Sequence, residues 1–529
     1  MKTVSFTSIA LPALALGVLG FVNANSPSEY LEFATDLGLS ETDIDFFVSS
    51  FGGLSGKNVQ QSCHTLKWLF PDNTYLPEAI DTYQAKVSIN WSARAWLNGP
   101  CIFSPDTTHK TAVGVKVATF FGSQFAIRSG GHTPDPGSAS TSTGILFSLE
   151  NLNKIDLDTT KNILSIGPGG RWGNIYENLE ARGFAAVGGR VSSVGVGGLL
   201  TGGGLSYFSG TEGFGADNVK SYEVVLANGC VVNASAKENP DLWWALKGGG
   251  NNFGIVTRFD INAIPKPGGL IWGGILTFLP SQIPDVLNAI AKFQAEGQVT
   301  DPKAAIIASL IQARVAGVEA SFLTLFHQDP SDKAPASLQH FIDIGPVQNT
   351  VGNRTVSSLA AELYPAMPPL RQLFRVLTIK VSPTLYKFAA DLFDQTYTSP
   401  DVLSAGAIGT FNFQPISIGM IDVSKTTGGH PLGISREPQV WLSLNSAWPS
   451  EKDDDLLISI ARNFLNEVEK KAVEMGLNDD FMYLNDAASD QKIMEGYGKA
   501  NLERLRTVAK EFDPDQVFQK QVPGGFKLY

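Results

Sequence analysis

Two glycine clusters constrain this chain more than any other feature. The first is Arg128-Ser129-Gly130-Gly131-His132; the second is Val194-Gly195-Val196-Gly197-Gly198, continued by Gly202-Gly203-Gly204. Glycine has no Cβ, so such loops let backbone N–H groups close on a charged group that side chains would hold away. The first cluster follows a strand-like segment, Gln124 to Arg128, and ends in an imidazole, a nucleophile when neutral. The second follows roughly two short supersecondary units later by ordinary loop lengths. Two close-approach loops around one histidine fit a large, flat, diphosphate-bearing cofactor tethered to the protein. A flavin answers that description.

At 529 residues the chain exceeds one ordinary core and should divide into roughly two to four structural units. With 43% hydrophobic and 17% charged residues it can bury sizeable cores. Its net charge of −11, without a Lys/Arg run, argues against nucleic acid or an anionic membrane as partner. The N-terminus reads as a secretory signal over residues 1–24: Lys2, an apolar run from Ile9 to Val22, and a small-x-small cleavage site at Val22-Asn23-Ala24. The run is short for a membrane span and is broken by Pro12, Gly17 and Gly20, and no later run is long enough to cross a bilayer. The mature chain is therefore expected to be secreted or to pass through the secretory pathway.

The three cysteines agree with an oxidising compartment, an odd count meaning one bridge and one remaining thiol. Cys63 and Cys101 both precede the glycine-rich region and are paired here; Cys230, after Asn228-Gly229, is expected to be a buried small residue. Asn90, Asn233 and Asn353 lie in Asn-x-Ser/Thr sequons and are candidate glycosylation sites.

The texture of the chain divides it further. Residues 25–94 read as a helical segment, with a capping pattern at Ser40 to Asp43. Short strands, short helices and dense glycine occupy 95–266, including a hairpin signal at Ala227-Asn228-Gly229 and a half-buried strand from Phe253 to Ile264. Pro265-Lys266-Pro267-Gly268-Gly269 marks a boundary. Residues 267–475 read as a separate α+β unit, and 476–529 as a closing segment with a late amphipathic helix, Asn501 to Phe512.

Other chemistries find little support. Gly167-x-Gly169-Gly170 precedes a helix but lacks the G-x-G-x-x-G spacing and the regular βαβ alternation of a nicotinamide-binding sheet. The six histidines show no paired ligand spacing, there is no C-x-x-C, so no metal site is expected, and no G-x-S-x-G elbow is present.

The first glycine cluster resembles the flavin-attachment motif of the berberine-bridge-enzyme-like branch of the vanillyl-alcohol-oxidase (PCMH) family, in its fungal form. Further pieces match in order: Val194 to Gly204, Gly215-Ala216-Asp217-Asn218-Val219, the run Pro240 to Gly250, and Asn252-Phe253-Gly254-Ile255-Val256-Thr257. Tyr483-Leu484-Asn485 resembles the closing Tyr-x-Asn element. The resemblance implies an α+β fold in which a two-subdomain region over 95–266 holds extended FAD, a second α+β domain over 267–475 meets the substrate, and 476–529 returns to the flavin region.

It also implies roles. His132 would carry the 8α-methyl of the flavin, with Arg128, Ser129, Gly130, Gly131, Val194, Gly197, Gly198, Gly202, Gly203, Gly204, Gly254, Ile255, Val256 and Asn485 around the cofactor. Many members attach the flavin a second time through a cysteine three residues before the Val194 position; here that residue is Val191, so a single covalent bond is expected. Val194 occupies the position tied to oxygen access, where a small β-branched residue goes with reoxidation by O₂ to hydrogen peroxide. Tyr483 is the candidate base for the O–H or N–H proton as hydride leaves a neighbouring C–H, or else a hydrogen bond that orients substrate. Phe411, Phe413, Gln414, Trp441, Ser443 and Asn445 are candidate substrate-facing residues by the strand period of two. The expected donor is a small specialised metabolite, with an oligosaccharide or hexose as the alternative and a non-catalytic secreted binding protein as the reading from another class.

Overall fold

A computed structural model describes residues 27–52, 57–363 and 369–529. The signal sequence read over 1–24 lies outside the described residues. The chain opens with helices Pro27–Asp36, Glu41–Phe51 and Val59–Leu69, the second capped where the Ser40 hydroxyl accepts the Asp43 N–H at 3.3 Å. Strands β1 (Thr74–Tyr75), β2 (Cys101–Phe103), β3 (Phe125–Arg128) and β4 (Ile145–Ser148) form a sheet of order β1-β2-β4-β3, in which β4 runs parallel to both β2 and β3. Helix Thr108–Phe120 lies tight on this sheet, with Gly114 so close that a Cβ would meet the Phe103 ring at 2.5 Å. Parallel pairing requires such a crossover, and its buried Phe103, Phe125 and Phe147 form the core beneath it. Cys63 of the third helix is bonded to Cys101 of β2, so the N-terminal helices are stapled to the sheet rather than standing apart.

A second lobe follows. Strands β5 (Ile155–Asp158), β6 (Ile163–Ile166), β8 (Val219–Val225), β9 (Val231–Ser235) and β10 (Ile255–Asn262) form an antiparallel sheet, β5-β6-β10-β8-β9, while β7 (Phe184–Ala185) pairs with β11 (Ile264–Pro265). The β8–β9 hairpin closes at Gly229, whose φ of +77° suits glycine. Cys230 beside it is exposed, contrary to the expectation of a buried residue, because the turn lifts it off the sheet. Between β6 and β8 run the second glycine cluster and helix Trp172–Glu180, whose Trp172, Ile175 and Leu179 are fully buried.

The third unit is a nine-stranded sheet built from β12 (Leu270–Phe278), β13 (Ala304–Ala313), β14 (Val318–His327), β15 (Gln348–Asn349), β16 (Gly352–Thr355), β17 (Arg371–Lys380), β18 (Ile408–Ile416), β19 (Gln439–Trp448) and β20 (Asn478–Asp479). Helices Ile283–Lys292, Pro383–Tyr397 and Asp454–Glu474 cover one face, and the buried side chains of alternate residues meet them. The other face looks toward the two glycine-bearing lobes. The chain then returns: Phe125 of β3 donates its N–H to the Gln521 carbonyl at 2.7 Å, and the Phe518 ring packs on Phe125 at 5.9 Å. The arrangement is α+β throughout.

Asn90 does not suit glycosylation. It is 2% exposed, its amide donates to the Thr133 carbonyl and its oxygen accepts the Ser92 N–H, so a glycan would have to break the fold. Asn233 and Asn353 are exposed.

Candidate active site

The two glycine clusters meet back to back. A Cβ on Gly195 would lie 2.5 Å from the Gly130 Cα, and one on Gly130 would lie 2.5 Å from the Gly195 Cα, a separation no alkyl group tolerates. Ser129 fastens the loops: its hydroxyl accepts the Gly197 N–H at 3.0 Å and donates to the Pro168 carbonyl. A bridge between Arg171 and Gly195 adds the loop 167–171. Gly203 and Gly204 adopt φ of +106° and +83°, and their carbonyls accept the N–H groups of Ala216 and Gly215, both at 2.7 Å. Gly198, in contrast, is exposed, and a Cβ there would meet nothing within 4 Å. The cradle is therefore tight where loop meets loop and open at Gly198.

His132 sits half-buried at its rim. Its ring stacks on Trp91 at 4.7 Å with planes 11° apart, and Trp91 stacks in turn on Phe374 of β17 at 5.3 Å. Nε2 lies 3.2 Å from the Ser193 hydroxyl. Burial, reinforced by the nearby Arg171 guanidinium, pushes its pKa down to about 4. The imidazole is thus neutral at ordinary pH, which leaves one ring nitrogen with a lone pair able to bond carbon.

The large sheet presents a polar face to this rim. Ser309, Asn412 and Ser443 lie abreast on β13, β18 and β19 and bond in a row: Ser309 Oγ to Asn412 Oδ1 at 2.6 Å, and Asn412 Nδ2 to Ser443 Oγ at 3.1 Å. Two residues along β18, Gln414 donates from Nε2 to Asp486 Oδ2 at 2.8 Å and accepts a hydrogen bond from Arg190 at Oε1. Asn445 and Phe374 face each other on the same side, and both are half-buried. Amides and hydroxyls outnumber rings here.

Several expected residues take other roles. Phe411 and Phe413 are fully buried on the opposite face, against Phe393, Phe464 and Tyr386 of the covering helices; the strand period that groups them does not say which face is the core. Trp441 is also fully buried, stacked between Phe214 at 5.5 Å and Tyr483 at 4.6 Å, so it backs the site without lining it. Arg128 is fully buried behind its loop, where it bonds the Ser148 hydroxyl and the Val87 carbonyl near Glu150, so its charge is spent on the protein. Gly254 is accounted for by packing, since a Cβ would lie 2.6 Å from Val224, and Ile255 and Val256 point into core. What remains there is backbone: β6 pairs with Phe259–Asn262, and among the described residues no strand pairs with that edge of β10 over residues 255–258. Val194 is half-buried against the core of the second lobe.

Tyr483 and Asn485 form a brace. The Asn485 amide donates to the Leu199 carbonyl at 3.1 Å and to the Tyr483 oxygen at 3.0 Å, and Asn485 Oδ1 fills the space where a Gly202 Cβ would be, 2.1 Å away. The Tyr483 oxygen also accepts the Leu205 N–H at 2.8 Å. Only 2% exposed, this phenol is pushed up to about 12, by burial first and then by Asp486. Its oxygen is occupied by two donors, which suits a positioning group better than a base.

Sequence reasoning missed Trp91, Arg171, Arg190, Ser193, Phe374 and Asp486. Arg171 had a signal, directly after Gly167-Pro168-Gly169-Gly170, and Asp486 follows the Tyr-x-Asn element. Trp91 and Phe374 meet His132 only through the fold, and no local pattern marks them.

These residues fit FAD: a Cβ-free cradle with open space at Gly198, an unpaired strand edge, and a neutral, ring-stacked imidazole at the rim. The comparisons agree. Residues 100–235 match the FAD binding domain family. The chain is 35% identical over 482 residues to the FAD-dependent monooxygenase prx3 of Penicillium roqueforti, covering 88% of this chain and 93% of that one. It is 36% identical over 465 residues to the bifunctional solanapyrone synthase of Alternaria solani, covering 87% and 86%. Among solved structures, 6-hydroxy-D-nicotine oxidase of Arthrobacter nicotinovorans superposes with a TM-score of 0.73 at 22% identity, over 87% of this chain and 98% of that one, which shows the fold. The chain belongs to the berberine-bridge-enzyme-like FAD-linked oxidoreductases of the vanillyl-alcohol-oxidase family, and it is an enzyme rather than a passive binding protein.

Proposed function

We propose that the enzyme is an oxidase that takes hydride from a C–H beside an oxygen or nitrogen of a small specialised metabolite, with FAD bound once, through His132, and O₂ as the final acceptor. FAD, when bound, supplies the hydride acceptor. The observation that carries the reading is the neutral His132 ring, stacked on Trp91 at the rim of a glycine cradle that faces the polar side of the large sheet. Trp91 and Ser193 hold the imidazole in one orientation, which favours attachment at a fixed nitrogen. Phe374 continues the stack toward the sheet, while the half-buried Asn412 and Asn445 offer amides that would orient a substrate carrying oxygen or nitrogen; Gln414 and Ser443 are buried. Val191 supports attachment through a single bond, having no sulfur to offer, and Val194 supports use of O₂.

A second reading, an oligosaccharide or hexose oxidase, draws support from that same polar face, since sugars need many hydrogen bonds. Mixing the holoenzyme anaerobically with aryl alcohols, cyclic secondary amines, glucose and xylobiose, then admitting air, separates the two. Bleaching by an alcohol or amine and peroxide on aeration supports the metabolite oxidase. Bleaching by the sugars alone transfers the function to the second reading, and slow recovery in air removes the oxidase assignment.

A further inference from the structure

Asp486 follows the Tyr-x-Asn element and is a carboxylate on which the large sheet, the loop before the second glycine cluster and the Tyr483 segment converge. Gln414, on the inner face of the large sheet, donates to its Oδ2 at 2.8 Å. Arg190, on the loop leading into the second glycine cluster, is bonded to the other end of that same amide and lies within electrostatic reach of the carboxylate. Tyr483 is close enough for the Asp486 charge to raise its pKa. The amide is thereby fixed in both senses: a guanidinium can only donate to Oε1, so the NH₂ end must face the carboxylate. No hydrogen bond among the described residues engages Oδ1, and Asp486 keeps partial exposure while Tyr483 beside it has almost none.

We propose that Asp486 is the catalytic base of this enzyme, with Gln414 and Arg190 as its positioning residues and Tyr483 as a brace. The proposal rests on the oxidase reading above. In the step it performs, the donor's O–H or N–H bond breaks and its proton passes to Asp486, which becomes a neutral acid. The freed electron pair forms the new C=O or C=N bond as the C–H bond breaks, and the hydrogen leaves with both C–H electrons to the flavin. The donor is oxidised by two electrons and the charges balance.

The neighbouring titratable groups fit this step less well. The Tyr483 oxygen already accepts from Leu205 and Asn485, and its own proton is firmly held. His132, the other titratable group at the rim, is the attachment residue, and Ser193 occupies its Nε2. Burial raises the Asp486 carboxyl above its usual range, with Arg190 and Gln414 pulling partly against it, which brings a carboxylate nearer the pH at which a base works best. The charged and titratable groups that face it are Arg190 from its loop and Tyr483 from its own segment; Gln414 from β18 is neutral.

A test that needs no known donor is the pH dependence of the flavin midpoint potential, measured on the holoenzyme by dye-mediated reduction. Adding electrons beside a carboxylate raises its pKa, so the wild-type plot should bend where Asp486, already held above the usual carboxylate range by burial, gains a proton on reduction. Asp486→Asn should lose the bend, Tyr483→Phe should keep it, and Asp486→Glu should move it. With any donor that bleaches the wild type, Asp486→Asn should slow reduction by about 10²- to 10⁴-fold. If Asp486→Asn fails to hold FAD, the displacement of the bend in Asp486→Glu is the readout. A bend that survives in Asp486→Asn, is lost in Tyr483→Phe, or is absent from the wild type overturns the assignment. A protein that contains no flavin would instead overturn the oxidase reading itself.

Discussion

Gly198→Ala separates a cofactor cradle from ordinary loop packing. Gly198 lies in helix Val196–Thr201, is exposed, and has open space where its Cβ would stand. Alanine in a helix is favoured over glycine by about 0.5–1 kcal/mol, so the flavin-free protein should be stabilised, by roughly 1–2 °C in a chain of this size. If that space is reserved for FAD, the same methyl must push the cofactor away, and overpacking of about 1–3 kcal/mol corresponds to roughly 5- to 150-fold weaker binding. Opposite signs from one methyl group are hard to obtain any other way. The binding arm belongs in a His132→Ala background, where attachment cannot mask affinity, and is read by quenching of FAD fluorescence; the stability arm is read by thermal unfolding. Gly195→Ala is the control. Its φ of −82° imposes no strain, but its methyl would strike Gly130 at 2.5 Å, so both stability and binding should fall. Undiminished FAD affinity in Gly198→Ala would refute the placement of the cofactor, and a loss of stability would refute the open space.

Other expectations follow from the same contacts. Cys63→Ser frees a loop spanned by a sequence separation of 38, which should cost about 4 kcal/mol and lower the thermal midpoint, and dithiothreitol should reproduce the effect on the wild type. Glycopeptide mapping of protein secreted from a eukaryotic host should find sugar at Asn233 or Asn353 and none at Asn90; a glycan on Asn90 would contradict its burial. In flavin-free protein, His132 has a folded pKa depressed to about 4 from 6.5, so the unfolded state binds the extra proton between those values. The associated stability is present above about pH 6.5 and is lost as the pH falls toward 4, amounting to about 3 kcal/mol, and His132→Asn should flatten that part of the stability curve.

The meeting of the two glycine loops was legible in the sequence because its constraint is local: a glycine that must let a backbone pass is recorded as a glycine, as at Gly130 and Gly195. The hairpin at Gly229 was legible for a similar reason, and the Cys63–Cys101 pair from the position of both cysteines ahead of the glycine-rich region. Strand faces were not. Phe411 and Phe413 alternate just as lining residues would, and only the helices packed over them show that their face is core. Trp91 and Phe374 are 283 positions apart and meet at His132 through the fold alone. Arg128 and Tyr483 carry the chemistry-bearing groups that sequence reasoning looks for, yet their partners, Ser148 and Glu150 in one case and Leu205 and Asn485 in the other, turn them into supports. Asp486 went unnoticed because a single aspartate has meaning only once Gln414 and Arg190 are seen to hold it.

Attachment of FAD to His132 would be seen in a visible spectrum of the purified protein before and after acid precipitation. A yellow pellet from the wild type and a colourless one from His132→Ala is the result the account requires. A colourless pellet beneath a yellow supernatant would contradict the covalent attachment, and a pellet that stays yellow in His132→Ala would place the bond on another residue.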